Sequence, residues 1–299
     1  MTTNRQKYKT GFKVYATWKN MEETKRRIGI VGYGHLGKFL TEAILNHPKL
    51  ELAFVWNRTK AAFDNSKLQP YILEDLQEVA KTKPDLIVEV SHPIVVKQNG
   101  ELFLKTCDFM LGSPTALADE DLEETLYQAV NQYQNGLYVP SGALWGGEDI
   151  RKMAERGSLK GVTVTMRKHP SSFKLNGDIA EKNAQVTDQE LVLYEGPVRP
   201  LCSLAPNNVN TMAAAAIAAN NLGLDKVIGR LVSDPNLPDW HIVEVEVFGP
   251  TNSLGNQFAV KSVRSNPADP GAVTGSATYN SFLSSIIRAQ GKGSGVHLC

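Results

Sequence analysis

Three glycines, Gly32, Gly34 and Gly37, follow the apolar run Ile28-Gly29-Ile30-Val31 at the spacing G-x-G-x-x-G. This spacing serves the binding of a dinucleotide pyrophosphate. The first glycine permits a tight turn, the second lets a phosphate approach the backbone, and the third lets a helix lie close to the preceding strand. A helix beginning near His35 would aim its N-terminal N–H groups at the phosphates. Leu36, Phe39, Leu40, Ala43 and Ile44 recur at helical spacing behind it, and His35 and Leu36 join the glycines as expected cofactor contacts.

Twenty residues past Gly37, the strand-like stretch Leu50 to Trp56 runs into Asn57 and Arg58. An acid at this position bonds the ribose 2′-hydroxyl of NAD and repels a 2′-phosphate. Asn57 is neutral, and Arg58, with Lys60 close behind, offers a guanidinium that grips phosphate bidentately. The expectation is that NADP is accepted. In the competing reading Asn57 bonds the ribose of NAD and Arg58 is a solvated charge.

Other residues could carry chemistry further along. Ser91 and His92 end a buried strand, near the expected nicotinamide. Ser141-Gly142-Ala143 opens a glycine-rich junction that also suits an interdomain hinge. Asn207, Asn208 and Asn210 stand before the alanine run 213–216. Capping explains one asparagine, and an exposed amide at a helix start also suits a carboxamide or a carboxylate. Among the six histidines, no pair has helical metal spacing, and no metal site is expected. Residue type alone does not rank His92, His169 and His241. Cationic partners for an acidic substrate are sought among Arg167, Lys168, His169, Lys174 and Arg199.

The elements that position these residues fall into two patterns. Up to about residue 144, short apolar strands alternate with amphipathic helices, which predicts a parallel, doubly wound sheet with its ligand beyond the strand ends. Past that point strand signals dominate. They include Val162 to Met166, Leu191 to Tyr194, Val227 to Val232, Phe258 to Val263 and the alternating Ile242 to Phe248, with one strong helix near Asn208 to Asn221. A last helix is expected over about Ser276 to Ala289. The expected fold class is therefore α/β, an N-terminal Rossmann dinucleotide-binding domain followed by a mixed α+β domain on an open sheet.

With 299 residues, 32 basic and 31 acidic, the chain fits two domains and lacks the charge excess of a nucleic-acid or membrane-surface binder. No apolar run approaches the ~20 residues that a spanning helix needs. Three scattered cysteines make neither a disulfide framework nor a metal spacing, which fits a reducing compartment. Residues 1–24 are expected to be a basic, flexible tail and the location cytoplasmic; a mitochondrial transit peptide is the alternative.

In combination, IGIVGYGHLG, VEVSHP, GSPTALAD, PSGALWGGEDI, LYEGPVR, APNNVNTMAAAA, DWHIVEVE and NPADPGAVTGSATY resemble the L-aspartate dehydrogenase family, specifically its animal branch, over about residues 28–299. The resemblance implies a homo-oligomer, commonly a dimer. It also implies a Rossmann domain over 25–144 plus 272–299, with the C-terminal helix returning to it, and a catalytic domain over 145–271. It singles out His241 as the catalytic residue, Ala143 as a cofactor contact, and Asn208 or Asn210 as the cofactor-side asparagine. Asn57 departs from the ribose-binding Asp of prokaryotic members. The implied reaction is NAD(P)-dependent oxidative deamination of L-aspartate, or its reverse. The alternatives are an NADPH-dependent reductase of another small oxo or imino acid, and a non-catalytic dinucleotide-binding sensor or scaffold.

Overall fold

The computed structural model describes residues 25–63 and 66–299; the basic segment 1–24 lies outside the described residues. The chain opens with β1 (Arg26–Val31), α1 (His35–Leu45), β2 (Leu50–Trp56), β3 (Leu86–Glu89), α2 (Pro93–Thr106), β4 (Asp108–Leu111), α3 (Glu120–Tyr133) and β5 (Gly136–Val139). Residues 28–31 of β1 and all of β3 and β5 are buried. That is the signature of parallel strands covered on both faces. The sheet runs β2-β1-β3-β4-β5, all parallel. Chain order reverses between β1 and β3, so the crevice for a dinucleotide opens there.

The second half comprises α4 (Gly147–Glu155), β6 (Gly161–Lys168), α5 (Asp178–Ala184), β7 (Leu191–Pro197), α6 (Val198–Leu204), α7 (Asn210–Ala218), α8 (Gly223–Lys226), β8 (Ile228–Ser233), β9 (Trp240–Thr251) and β10 (Gln257–Pro267). Its sheet runs β10-β9-β6-β8-β7, with β6 and β8 parallel and the other pairs antiparallel. The sequence shows one strong helix here, yet four more are present. Each spans nine residues or fewer, too short for a helical period to separate from a buried strand.

The chain then returns to the first sheet. Helix α9 (Ser276–Arg288) packs on α1 and on β10, with Phe282, Ile286 and Ala289 joining the core behind β1. Strand β11 (Gly295–Leu298) pairs in parallel with β5 and adds a sixth strand that the sequence pattern does not announce. Between the two sheets runs α7, buried from Thr211 through Ala218 and packed against β6, α4, β11 and the 3-10 turn Pro114–Ala118. A helix buried all round needs small apolar side chains on every face, which is the reason for the alanine run.

At the phosphate turn, Gly32 has φ +114°, and a Cβ on Gly37 would meet the Gly32 carbonyl oxygen at 2.1 Å. The obstacle is backbone and cannot swing aside. Gly37→Ala is expected to cost about 1–3 kcal/mol of stability and to weaken dinucleotide affinity, both measured by denaturant titration with and without cofactor. Unchanged affinity would mean that the turn has no part in binding.

Candidate active site

The crevice beyond β1 and β3 has the features of a phosphate cradle. A Cβ on Gly34 would meet nothing within 4 Å, so the backbone there lies open to a ligand. Helix α1 begins at His35 with neither a side-chain cap nor an acid in its first turn. Asn57 Oδ1 accepts from the Tyr33 N–H at 3.0 Å, and its Nδ2 donates to the Thr59 carbonyl at 2.9 Å. The residue at the cofactor-selecting position therefore also braces the glycine turn. Arg58 is exposed and makes no ion pair among the described residues. Among these residues the turn, the unneutralised helix end and the absence of an acid beside Arg58 all fit a dinucleotide.

A cavity between the two sheets adjoins this crevice. Its walls include Leu36 from α1, the Ser141–Ala143 loop, Asn208 and Asn210, and Lys168, His241 and Asn266 from the second sheet. The last three form a cross-strand row. In the antiparallel register Arg167 faces Ile242, which sets Lys168 opposite His241, and Asn266 faces His241 on the other side. All three are 5 % exposed or less.

His241 Nε2 is buried with no hydrogen-bond partner. Burial and the neighbouring Lys168 charge push the imidazole down to about 4, against a smaller opposing effect of a hydrogen bond with the Ala272 backbone. It is thus neutral at physiological pH. Lys168 donates to the Val273 carbonyl at 2.9 Å and stands over the Phe173 ring. Burial pulls its ammonium down to about 8.

The other cations weighed as substrate partners are committed or outside the cavity. Arg199 holds Asp225 at 2.7 Å and Glu123 at 3.1 Å. Arg167 pairs with Glu190 and Glu244. Lys174 is exposed, and His169 binds the turn at Ser171. Lys168 alone of the five lines the cavity.

The remaining expected residues divide. Asn208 accepts from the Lys174 N–H and donates to the Ser172 carbonyl, so both ends of its amide tie down a loop. Asn210 is half-buried and only its Oδ1 is engaged, by Thr115 at 3.4 Å. No side chain caps α7, contrary to the capping role expected for one asparagine. The side chain of Val209, which holds the N-cap position, has no acceptor.

Ser91 and His92 are not brought into this cavity. His92 is exposed and caps α2 by accepting from the Ile94 N–H. Ser91 donates to Glu89, as do the N–H and hydroxyl of Ser113. Glu89 was missed by sequence reasoning, although an acid inside an otherwise apolar strand was the available sign. It is fully buried, its carboxyl is raised by desolvation, and it clasps the ends of β3 and β4 beside the crevice. Asn266 was also missed, because nothing local marks it. Among the described residues, no group of three or more His, Cys, Asp or Glu is placed to hold a metal.

A Rossmann crevice joined to a cavity with a buried neutral histidine and a lysine that has no carboxylate partner among the described residues fits an NAD(P)-dependent dehydrogenase. Comparison with known proteins narrows the class. Residues 32–140 match the homoserine dehydrogenase NAD-binding domain, and residues 149–285 match the C-terminal domain of aspartate dehydrogenase. An aspartate dehydrogenase domain-containing protein of Xenopus tropicalis is 53 % identical over 93 % of this chain and 99 % of its own. An L-aspartate dehydrogenase of Methanococcoides burtonii is 31 % identical over 81 % of this chain and 90 % of its own. The crystal structure of aspartate dehydrogenase from Thermotoga maritima shares the fold, with TM-score 0.64 and 22 % identity over 89 % of this chain and 97 % of that one. The chain belongs to the aspartate dehydrogenase family. It is a dehydrogenase acting on an amine donor with NAD or NADP, and no helix among its described residues is long and apolar enough to cross a membrane.

The charge states set a pH dependence. A free imidazole titrates near about 6.5, whereas His241 does so at about 4. As pH falls from 6.5 toward 4 the unfolded chain takes up a proton that the native site refuses, so stability falls through that window. Activity is expected to rise with pH through about 4 and to decline above about 8 as Lys168 loses its charge. A profile of kcat/KM against pH measures both limbs, and a flat alkaline side would remove Lys168 from substrate binding.

Proposed function

We propose that the protein catalyses the oxidative deamination of L-aspartate to oxaloacetate and ammonia, or its reverse. The observation that carries this reading is the buried ammonium of Lys168, which lacks a carboxylate partner and stands beside the neutral imidazole of His241. A substrate carboxylate satisfies the first, and a departing proton satisfies the second.

The reaction takes a hydride from Cα of aspartate and a proton from its ammonium, giving iminoaspartate. Water adds to the imine, and loss of ammonia leaves oxaloacetate. The nicotinamide, when bound, accepts the hydride. Lys168 holds and orients a carboxylate by charge, with its Nζ fixed by the Val273 carbonyl. His241 acts as general acid/base through Nε2, the ring nitrogen that has no hydrogen-bond partner among the described residues. It accepts the ammonium proton and releases it to solvent; the neutral ring then takes a proton from the water that adds to the imine and returns it to the departing amine. Asn210, with its amide N–H groups unengaged, is the cofactor-side asparagine, while Asn208 fixes the wall behind it. Ala143 and Leu36 flank the same space. Gly32, Gly34, His35 and Gly37 hold the pyrophosphate. Arg58 takes the 2′-phosphate of NADP at a rim where Asn57 adds no negative charge.

Three substitutions test these roles. His241→Ala is expected to lower kcat by about 10²–10⁴-fold with cofactor affinity nearly intact, measured by absorbance at 340 nm and cofactor titration. Arg58→Ala is expected to raise KM for NADP about tenfold or more, leaving that for NAD nearly unchanged; equal effects on both would sink the NADP assignment. Lys168→Met removes a buried charge that has no carboxylate partner. It is therefore expected to raise the melting temperature while raising KM for aspartate strongly. A destabilised variant with normal KM would refute the role given to Lys168.

The protein is further proposed to work as a homodimer. Strand β10 leaves a sheet edge open, with Phe258, Val260 and Val263 about half exposed along it. Light scattering of the purified protein gives the mass directly, and a monomer at micromolar concentration would exclude the dimer.

A further inference from the structure

Glu89 ends β3, a strand whose other residues are apolar, and it is fully buried. Its carboxyl receives four donors from two separate turns. Oε1 accepts from the Ser91 N–H at 2.6 Å, the Ser91 hydroxyl at 2.9 Å and the Ser113 hydroxyl at 3.1 Å. Oε2 accepts from the Ser113 N–H at 3.0 Å. No cation among the described residues pairs with it. Every partner is a donor, so the ionised carboxyl is the form that satisfies them all. An apolar side chain would fill this strand position without desolvating a carboxyl, so packing alone gives no reason for an acid. A buried polar network with every member satisfied is rigid.

Both turns border the space a dinucleotide would take. A Cβ on Gly32 would meet the Val90 carbonyl at 2.8 Å and Ser91 Cα at 3.0 Å, so the Ser91 turn lies directly against the glycine turn. On either side of Ser113, Gly112 and Pro114 line the cavity that also holds His241 and Lys168. The Gly112 N–H donates to the Glu89 carbonyl at 3.0 Å. Strands β3 and β4 lie on the far side of β1 from β2 and Asn57, hence toward the nicotinamide half of a dinucleotide that spans the crevice. The glycine turn is anchored differently. The Val90 N–H donates to the Val31 carbonyl at 2.8 Å, a backbone tie that does not involve the Glu89 side chain.

We propose that Glu89 is a positioning residue for the nicotinamide half of the cofactor. Its carboxylate locks the Ser91 and Ser113 turns to each other and so fixes the Gly112–Pro114 wall relative to the glycine turn. The inference rests on the dehydrogenase class of the chain and not on aspartate as its substrate. An amide of the same size cannot stand in for the acid. With Nε2 in the place of Oε2 it opposes the Ser113 N–H, and in the place of Oε1 it opposes the Ser91 N–H. Either orientation leaves a buried backbone donor without its acceptor, and the clasp loosens on one side.

The test is a calorimetric titration of the full chain, without substrate, using two classes of probe. NADP and NAD are the whole dinucleotides. Their fragments 2′-phosphoadenosine 5′-diphosphate and ADP keep the pyrophosphate and lack the nicotinamide riboside. Glu89→Gln is expected to weaken the dinucleotides at least about tenfold while the fragments bind as they do to the unsubstituted protein. A variant that has merely lost structure weakens both classes together. Ser113→Ala removes one donor and leaves the acid in place. It is expected to weaken the dinucleotides about threefold or more with the same selectivity, and it decides the matter if Glu89→Gln folds poorly. Melting temperatures show which variants are folded at the temperature of the titration. Equal losses for dinucleotide and fragment, or unchanged dinucleotide affinity, overturn the proposal. Because no amino acid is present in the titration, the result is separate from turnover of L-aspartate, and either reading can fail without the other.

Discussion

A lysine ammonium buried beside an imidazole with no carboxylate to balance it is the constraint around which the second half of this protein is arranged. Desolvating a charge is expensive, and a protein retains it only with hydrogen bonds or a partner that arrives later. Among the described residues Lys168 donates one hydrogen bond, to the Val273 carbonyl, which makes the loop before α9 part of the cavity wall. Burial, with the Lys168 charge as a lesser cause, keeps His241 neutral, so the same enclosure leaves a charged ammonium and an uncharged imidazole side by side. The cross-strand register of β6 and β9 brings the two groups together. A one-residue slip of either strand would turn one of them to the opposite face.

Holding that row against the dinucleotide crevice requires the two sheets to keep their relative position, and the contacts that do so converge on a few loops. The Gly142 carbonyl accepts from Arg264 of β10 and from Ser281 of α9. Ser141 donates through both its N–H and its hydroxyl to the Cys299 carbonyl just past β11. Thr115, from the first half, donates to the Pro206 carbonyl and to Asn210. With α7 buried between the sheets, these ties surround the cavity, so its width is set by rigid packing on most sides. Gly142 and Gly146 adopt φ of +58° and +78°, and that turn lets the chain leave β5 and enter α4 within a few residues.

The two halves were unequally legible in the sequence. The Rossmann signals are local: an apolar run, three glycines, a helical stripe and the position at the end of the second strand all lie within about thirty residues of each other. Lys168 and Asn266 stand nearly a hundred residues apart and meet only through the pairing of three strands, which residue type does not reveal. His241 came from family resemblance, since chemistry alone left it level with His92 and His169. Burial separates them: His241 is enclosed and unpartnered, whereas His92 and His169 are engaged in local turns. The short helices of the second half and β11 went unseen because four to nine residues carry too little periodicity.

Asn57 shows how one residue can serve structure and selectivity together. Its carboxamide braces the glycine turn through Tyr33 and the following loop through Thr59. An aspartate could accept the same Tyr33 bond but would turn a second acceptor toward the Thr59 carbonyl and lose that contact. It would also place a negative charge where the 2′-phosphate of a bound NADP would lie. An amide therefore keeps the turn intact and leaves the rim electrically open to Arg58. On the NADP reading proposed above, the position acts by what it withholds as much as Arg58 does by what it supplies. The same logic runs through the cavity between the sheets, where no acid among the lining residues neutralises Lys168.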